Sequence, residues 1–301
     1  MDLRQLNQFL AVAEELHFGR AAERLGMTQP PLSQSIMALE RELGAALFSR
    51  SKRHVALTPF GAQWLEHVRP AVAAIADLPA AAQRLAEGTA GRLALSFVSS
   101  ADYSILPELV RLYSTAFPEV EMALAEATSD VQVEALAEGR IDAGLMIPPA
   151  SGFPAAIDYR PLLREPLVAA VPDIWAKDGR LDIAEGKLAG ESWLDQPLLL
   201  FPRHVSPTFH DLIIDHYRAK GRTPHIRQRA IQMQTIISLV SAGMGLAMVP
   251  ASLQNLARTG VRYLPLAEAA PILETGLAWR RADDAPTLRA LLGIALEMAE
   301  G

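Results

Sequence analysis

A head laid out as a winged helix-turn-helix, one long helix, and an α/β body of two lobes form the fold class this sequence predicts. Three observations carry it. At the front, three short segments with apolar residues at helical spacing precede two strand-like runs around a basic turn. From Thr58 to Glu87 one apolar stripe recurs at helical spacing. From Arg92 onward, strand-like and helix-like runs alternate, the pattern of a largely parallel sheet covered by helices.

The first helix is expected over 3–16 (LRQLNQFLAVAEEL), with Leu3, Leu6, Phe9 and Leu10 on one face. After a break at His17–Phe18, Ala21, Ala22 and Leu25 mark a second, short helix. It stops at Gly26, a residue type suited to the left-handed position after a helix. A third helix follows Met27-Thr28 and runs to about Leu43, with Leu32, Ile36, Leu39 and Leu43 inward and Gly44 as its stop. Pro30 and Pro31 fall in its first turn. Amide groups there lack an intrahelical partner in any case, so the pair costs little and fixes the approach of the chain. "ALFSRSKRHVALTPFG" then reads as two short strands, Leu47-Phe48 and Val55-Ala56-Leu57, flanking Ser49 to His54.

Thr58 suits an N-cap and Pro59 a first helical turn. Phe60, Trp64, Val68, Ile75, Leu78 and Leu85 can line one side of a helix reaching about Glu87. Pro70 and Pro79 predict a kink or a break in it. Glu87-Gly88-Thr89-Ala90-Gly91 reads as a flexible joint. The expected division is a head at 1–58, a linker or dimerisation helix at 59–88 and a body at 91–301.

In the body, "RLALSFVSS", "EMALAEATS" and "IDAGLMI" read as strands. "ILPELVRLYSTAFPEV" and "DVQVEALAEGR" read as the helices between them. "PLVAAVP" opens a second stretch, which holds "LLLFP", the strand "HIRQRA", the helix "IQMQTIISLVSAG" and the strand "GLAMVP". "ETGLAWR" and "TLRALLGIALEMAEG" close the chain as a strand and a helix. This length fits two lobes, one from about 91–160 with 268–301 and the other from about 161–267.

Composition narrows the function. Of 301 residues, 50% are hydrophobic and 21% charged, ordinary for a globular chain. No apolar run reaches the roughly 18 residues of a membrane span, so no membrane partner is expected. The N-terminus lacks the layout of a signal peptide, which makes the cytoplasm the expected compartment. With no cysteine there is no thiolate metal site and no cysteine nucleophile. The net charge is −6, yet residues 1–58 carry seven basic and six acidic side chains. "RSKRHV" at 50–55 is therefore a basic spot on an acidic protein, a place for phosphate contacts or simply a solvated turn.

In a winged helix-turn-helix the start of the third helix enters the major groove. Thr28, Gln29, Pro30, Pro31, Ser33 and Gln34 occupy that start. Glutamine pairs with adenine edges, serine with several partners, and a proline ring with a thymine methyl. Arg50, Lys52 and Arg53 around the expected wing tip suit phosphates or a minor groove. Enzyme motifs find no support. "GMGLAM" lacks the third glycine of a dinucleotide fingerprint and precedes a strand, and there is no G-x-S-x-G or H-E-x-x-H. His210 and His216 near Asp211 and Asp215 match no strong zinc spacing. No cofactor and no metal is expected.

In open α/β sheets ligands sit beyond the C-terminal strand ends, at helix starts. Ser99 and Ser100 follow the first body strand and Thr128 follows the second. "LLLFPRHVSP" ends a strand at Phe201-Pro202-Arg203, and Ile231-Gln232-Met233 ends another strand before a helix. Arg203 can pair bidentately with a carboxylate. The alternative for each hydroxyl is a helix cap, and for Arg203 a surface or interlobe ion pair. Phe201, Met233 and Ile147 suit a small, partly apolar acid.

"LRQLNQFLAVAEELHFGRAAERL", "TQPPLSQSIMALERELGAALFSR" and "VALTPFG" carry a resemblance. Residues 1–88 resemble the DNA-binding half of LysR-type transcriptional regulators. "GRIDAGLM" and "LVSAGMGLAMVP" resemble stretches of that family's effector domain, whose two lobes are similar to periplasmic binding proteins. The resemblance implies a sequence-specific regulator of double-stranded promoter DNA, associated with the nucleoid when bound. It implies a homodimer paired through the long helix, a homotetramer built from two such dimers, and contact with RNA polymerase. Effector binding would rotate the lobes and change DNA bending and transcription. It maps Gln29, Pro30, Ser33 and Gln34 to groove-facing positions and Arg50 and Arg53 to the wing. Relatives often carry arginine where this chain has Gln34, which implies different base preferences and fewer phosphate contacts. Ser99 and Thr128 match positions that often bind a carboxylate effector, and Phe201, Pro202 and Arg203 a strand end on the same cleft. Muconate- or benzoate-like acids are the effectors that the resemblance favours.

Overall fold

A computed structural model of the chain describes residues 1–50 and 54–300. It contains two compact units, Met1–Gln83 and Arg84–Gly301. In the first, α1 (Leu3–Glu15), α2 (Phe18–Arg24) and α3 (Gln29–Leu43) precede an antiparallel pair, β1 (Phe48–Arg50) and β2 (Val55–Leu57). A reciprocal cap starts α1. Asp2 Oδ1 accepts from the Gln5 amide at 2.8 Å while Gln5 Oε1 accepts from the Asp2 amide at 3.1 Å. Left-handed Leu16 ends it. His17 then caps α2, its Nδ1 accepting from the Arg20 amide at 3.2 Å. Gly44, at φ 70°, ends α3.

Every third or fourth residue of α3 faces inward. Leu32, Ile36 and Leu39 are fully buried, each stabilising by about 1.5–3 kcal/mol. They meet Phe9, Val12, Phe18, Leu47 and Phe48 in one core. The Phe48 ring lies 5.5 Å from Phe9 and 5.8 Å from Phe18. Thr58 leads into the next helix. Its Oγ1 donates to Ala46 O at 2.6 Å and accepts from the Gly61 amide at 2.9 Å. A Cβ at Gly61 would stand 2.1 Å from Leu47 O, so only glycine lets the next helix approach β1.

That helix, α4, runs unbroken from Pro59 to Glu87 through both Pro70 and Pro79. The break expected at either proline does not occur. Each ring removes one helical hydrogen bond, about 3 kcal/mol in an interior, but the flanking turns are alanine-rich and favour helix. Val68, Trp64 and Leu65 pack on the core of the first unit. Farther along, Ile75, Leu78 and Leu85 are exposed.

The second unit alternates as its sequence pattern requires: β3 (Ala90–Phe97), α5 (Ile105–Ala116), β4 (Glu119–Glu126), α6 (Ser129–Ala137) and β5 (Ala143–Met146). β3 lies between β4 and β5, parallel to both. There follow β6 (Ile157–Pro172), α7 (Asp173–Lys177), and the small hairpin of β7 (Ile183–Ala184) and β8 (Lys187–Leu188). Next come β9 (Leu198–Leu200), α8 (Pro207–Ala219), β10 (Ile226–Arg229), α9 (Met233–Ser241) and β11 (Ala247–Pro250). β12 (Val261–Pro265), β13 (Ile272–Arg280) and α10 (Pro286–Glu300) complete it.

One strand belongs to both lobes. The first part of β6, Ile157 to Pro166, pairs antiparallel with β13, which continues to β5 and so to the first sheet. Its remainder, from Leu167, pairs with β11 and β12. β9 joins this second sheet through a parallel bridge between Leu198 and Leu246, and β10 runs parallel to β9. The register shifts between Thr275 and Gly276, where a Cβ would meet Arg160 O at 2.2 Å. Continuous β6 thus holds the two lobes edge to edge. The strand ends that feed α6, α8 and α9 meet at one cleft.

Candidate functional site

The leading turn of α3 is laid bare. Thr28, Gln29, Pro30, Pro31 and Gln34 are exposed, and Ser33 is half-buried. Thr28 sits at the N-cap but its hydroxyl makes no capping bond. The prolines lie in the first turn, where no intrahelical bond is lost. An exposed methionine one turn on, Met37, extends this face and was not singled out from the sequence.

Arg50 lies elsewhere than expected. It ends β1, with Nη2 2.9 Å from Glu40 Oε2 and Nη1 donating to Ser33 Oγ at 3.3 Å. Its guanidinium also stands 4.8 Å from the Phe18 ring. Arg50 is therefore not a free cation at a wing tip but a tie between β1 and α3. Its charge is met because Glu40 already faces the strand, accepting from the Leu47 and Phe48 amides at 2.9 and 3.1 Å. Lys52 and Arg53 lie outside the described residues.

In the second unit a cavity of about 220 Å³ opens between the lobes. From the first lobe come Ser99, Ser100, Glu126, Thr128, Ser129 and Ile147. From the second come Phe201, Val205, Phe209, Gln232 and Met233. Six expected residues thus converge: Ser99, Ser100, Thr128, Ile147, Phe201 and Met233. Two do not. Pro202 is half-buried outside the lining, and Arg203 is exposed and committed to Asp211. Its Nε donates to Asp211 Oδ1 at 2.8 Å and its Nη2 to Oδ2 at 2.7 Å. Arg203 and then His210 hold the Asp211 carboxyl down at about 2. The guanidinium took the nearest carboxylate, so the ion-pair alternative for Arg203 is the one realised.

Two of the hydroxyls, those of Thr128 and Ser100, do not act as helix caps, although Thr128 directly precedes α6. Ser100 is 5% exposed and its Oγ has no hydrogen-bond partner within the protein, and a buried hydroxyl left unpaired costs about 1–3 kcal/mol. Behind the lining, fully buried Gln132 spans the corner, donating to Ala127 O at 2.8 Å and Leu145 O at 3.2 Å. Ser129 Oγ accepts from the Ile147 amide at 3.2 Å. The corner that carries Thr128 is thereby fixed against β5. Glu126, Gln232 and Phe209 complete the wall and were not among the expected contacts. The strand-end rule could have found Glu126, the last residue of β4.

Among the described residues, no helix is long and apolar enough to cross a membrane, and no cluster of acidic or histidine side chains is arranged to hold a metal. Comparison with known proteins places the chain. Residues 3–62 match the family described as "Bacterial regulatory helix-turn-helix protein, lysR family", and residues 86–300 the LysR substrate binding domain. The HTH-type transcriptional regulator IlvR of Caulobacter vibrioides is 59% identical over 99% of this chain and 98% of its own. AlsR of Bacillus subtilis, another HTH-type transcriptional regulator, is 39% identical over 98% and 95%. The crystal structure of full-length CbnR complexed with its target DNA superposes with a TM-score of 0.76 at 27% identity, covering 99% of this chain and 100% of that one. With a matching reader, a matching sensor domain and relatives that are regulators along their whole length, this chain belongs to the LysR family of DNA-binding transcriptional regulators.

Proposed function

We propose that the chain reads promoter DNA with the first turns of α3 and reports on a small organic carboxylate bound between its lobes. Binding of that effector alters the bend of the promoter, its contact with RNA polymerase, and transcription. The observation that carries the sensor reading is the buried, unpartnered hydroxyl of Ser100 beside the uncapped Thr128 at the start of α6. A helix start with free amides and spare hydroxyls is a seat for an anion.

For DNA, Gln29, Ser33 and Gln34 supply base-edge contacts, Pro30 and Pro31 an apolar edge, and Thr28 a phosphate or base contact. Arg50 acts by holding the wing to α3, while Lys52 and Arg53 supply phosphate contacts. Two copies pair through the exposed Ile75, Leu78 and Leu85 stripe of α4, and two pairs form a tetramer. The target DNA in the CbnR crystal structure supports a DNA partner for this fold.

Footprinting of the promoter beside the gene, with and without a panel of small organic acids, tests the proposal. The expected result is an acid that changes the footprint in wild type and fails to do so in Thr128→Val, whose DNA affinity is unchanged. A full response in Thr128→Val moves the sensor site elsewhere.

A further inference from the structure

We infer that the effector is a small α-amino acid with an apolar side chain, its ammonium at Glu126 and its carboxylate at Ser100, Thr128 and Ser129. This rests on the cavity being the effector site and narrows the class of ligand it takes.

The charge of the cavity decides the matter. Among the described residues, Glu126 is the one ionisable group in its wall, and Glu126 has no ion-pair partner. A recess continues past Ser99, Glu126 and Gln232 and adds Asp102 and Tyr103. That end holds two carboxylates and no lysine, arginine or histidine. Its field reaches Tyr103, whose phenol is raised by burial and further by Asp102 and Glu126, against a lowering hydrogen bond from Gln234. On the opposite side, an adjoining hollow contributes Asp130 and His204. A plain acid would bring an anion beside Glu126 with no cationic side chain in the lining to offset the repulsion. A ligand that carries its own ammonium removes that conflict.

The anion end is equally specific. α6 is nine residues long and its first-turn amides have no intrahelical partner. Thr128 and buried Ser100 add hydroxyls that bond nothing else. The two ends lie close together. Glu126 stands opposite Phe97 in the β3–β4 register, and the Ala127 amide donates to Phe97 O at 3.0 Å. The Ser99–Ser100 turn and the Glu126–Ser129 corner therefore flank one end of the sheet. An ammonium and a carboxylate on one carbon span such a gap, whereas the separated charges of a long dicarboxylate do not match it. The side chain then meets Ile147, Phe201, Phe209 and Met233, all buried. A cavity of about 220 Å³ lies below the roughly 300–1,000 Å³ of drug-sized sites, so the ligand is small.

Calorimetric titration of the full chain tests this, with L-valine, L-leucine and L-phenylalanine, the matching 2-oxo acids, and the matching amines. The proteins are wild type, Glu126→Gln and Thr128→Val. At least one amino acid is expected to bind wild type ten times or more tightly than its 2-oxo acid or amine. Glu126→Gln should lose at least tenfold for that amino acid and little for the 2-oxo acid, and Thr128→Val should weaken both. Wild type preferring the 2-oxo acids, or amino-acid affinity unchanged in Glu126→Gln, overturns the ammonium assignment. If Thr128→Val still loses the acids, the carboxylate reading survives that result. Binding of none of the nine compounds overturns the amino-acid inference, and a footprint response to some other acid would then leave the sensor reading standing.

Discussion

Glu40 is a sharp place to test how the head is held together. Its Oε1 accepts from the amides of Leu47 and Phe48, residues 0% and 4% exposed, and its Oε2 meets Arg50. Glu40→Ala strands two buried amides, each at about 1–3 kcal/mol. It also frees Arg50, which is partly solvated and adds no more than about 1 kcal/mol. The total is about 2–7 kcal/mol. Glu40→Gln keeps an oxygen for the two amides and loses only the ion pair, about 1 kcal/mol. The difference, about 2–6 kcal/mol, corresponds to roughly 30- to 20,000-fold in local opening. Hydrogen exchange by mass spectrometry on the full chain, read on peptides spanning 44–50, resolves this. Faster exchange in Glu40→Ala than in Glu40→Gln, by that factor, is expected. Equal exchange in the two variants would show that the amides find water or another acceptor, and the account of β1 would fail.

Three further outcomes are expected. Pro30→Ala should leave circular dichroism and melting temperature unchanged and lower operator affinity, measured by fluorescence anisotropy; wild-type affinity would reduce the pair to a helix start. Gly144→Ala should cost about 1–3 kcal/mol in urea unfolding, because its Cβ would stand 2.5 Å from Gln132 Oε1 and 2.7 Å from the Met146 methyl; an unchanged midpoint would mean that Gln132 moves freely. The third concerns pH. The Asp211 carboxyl titrates at about 2 in the folded chain, below its usual value near 3.9, so the Arg203 pair stabilises above about pH 4 and loses that effect as pH falls toward 2. Arg203→Ala should lower the melting temperature only slightly at pH 6, the pair being exposed and screened, with the gap closing toward pH 2.5; a gap that widens in acid would reverse the sign of the argument.

Local periodicity made much of the fold legible. Leu32, Ile36 and Leu39 announce α3 because one buried face requires that spacing, and the alternation of β3, α5, β4, α6 and β5 follows from a sheet covered on its faces. The start of β6 was hidden for an equally physical reason. Pro161 and Pro166 interrupt it and Arg160 and Arg164 are exposed, so no strand pattern is visible. Pairing along the length of β13 supplies what local preference lacks. In α4 the expectation was a kink or a break, and the break does not occur, since two prolines weigh heavily one at a time but are carried by the alanine-rich turns around them.

The candidate sites show where residue types stop being informative. Hydroxyls at strand ends were found because topology alone places them, wherever their neighbours lie. Charged groups were not, because a charge matters to a ligand only if nothing in the protein has already met it. Arg203 and Arg50 look like anion binders in the sequence, yet Asp211 and Glu40 occupy them. Glu126 is an exposed strand-end carboxylate, yet among the described residues no cation pairs with it and it lines a cavity. Pairing of this kind depends on side chains brought together by folding, such as Arg50 with Glu40 ten residues away. The net effect inverts the expectation at the cleft. The cation that would have received a second carboxylate is spent on the surface, and an unmatched anion stands in its place. That inversion, more than the shape of the cavity, sets an amino acid apart from a muconate- or benzoate-like acid.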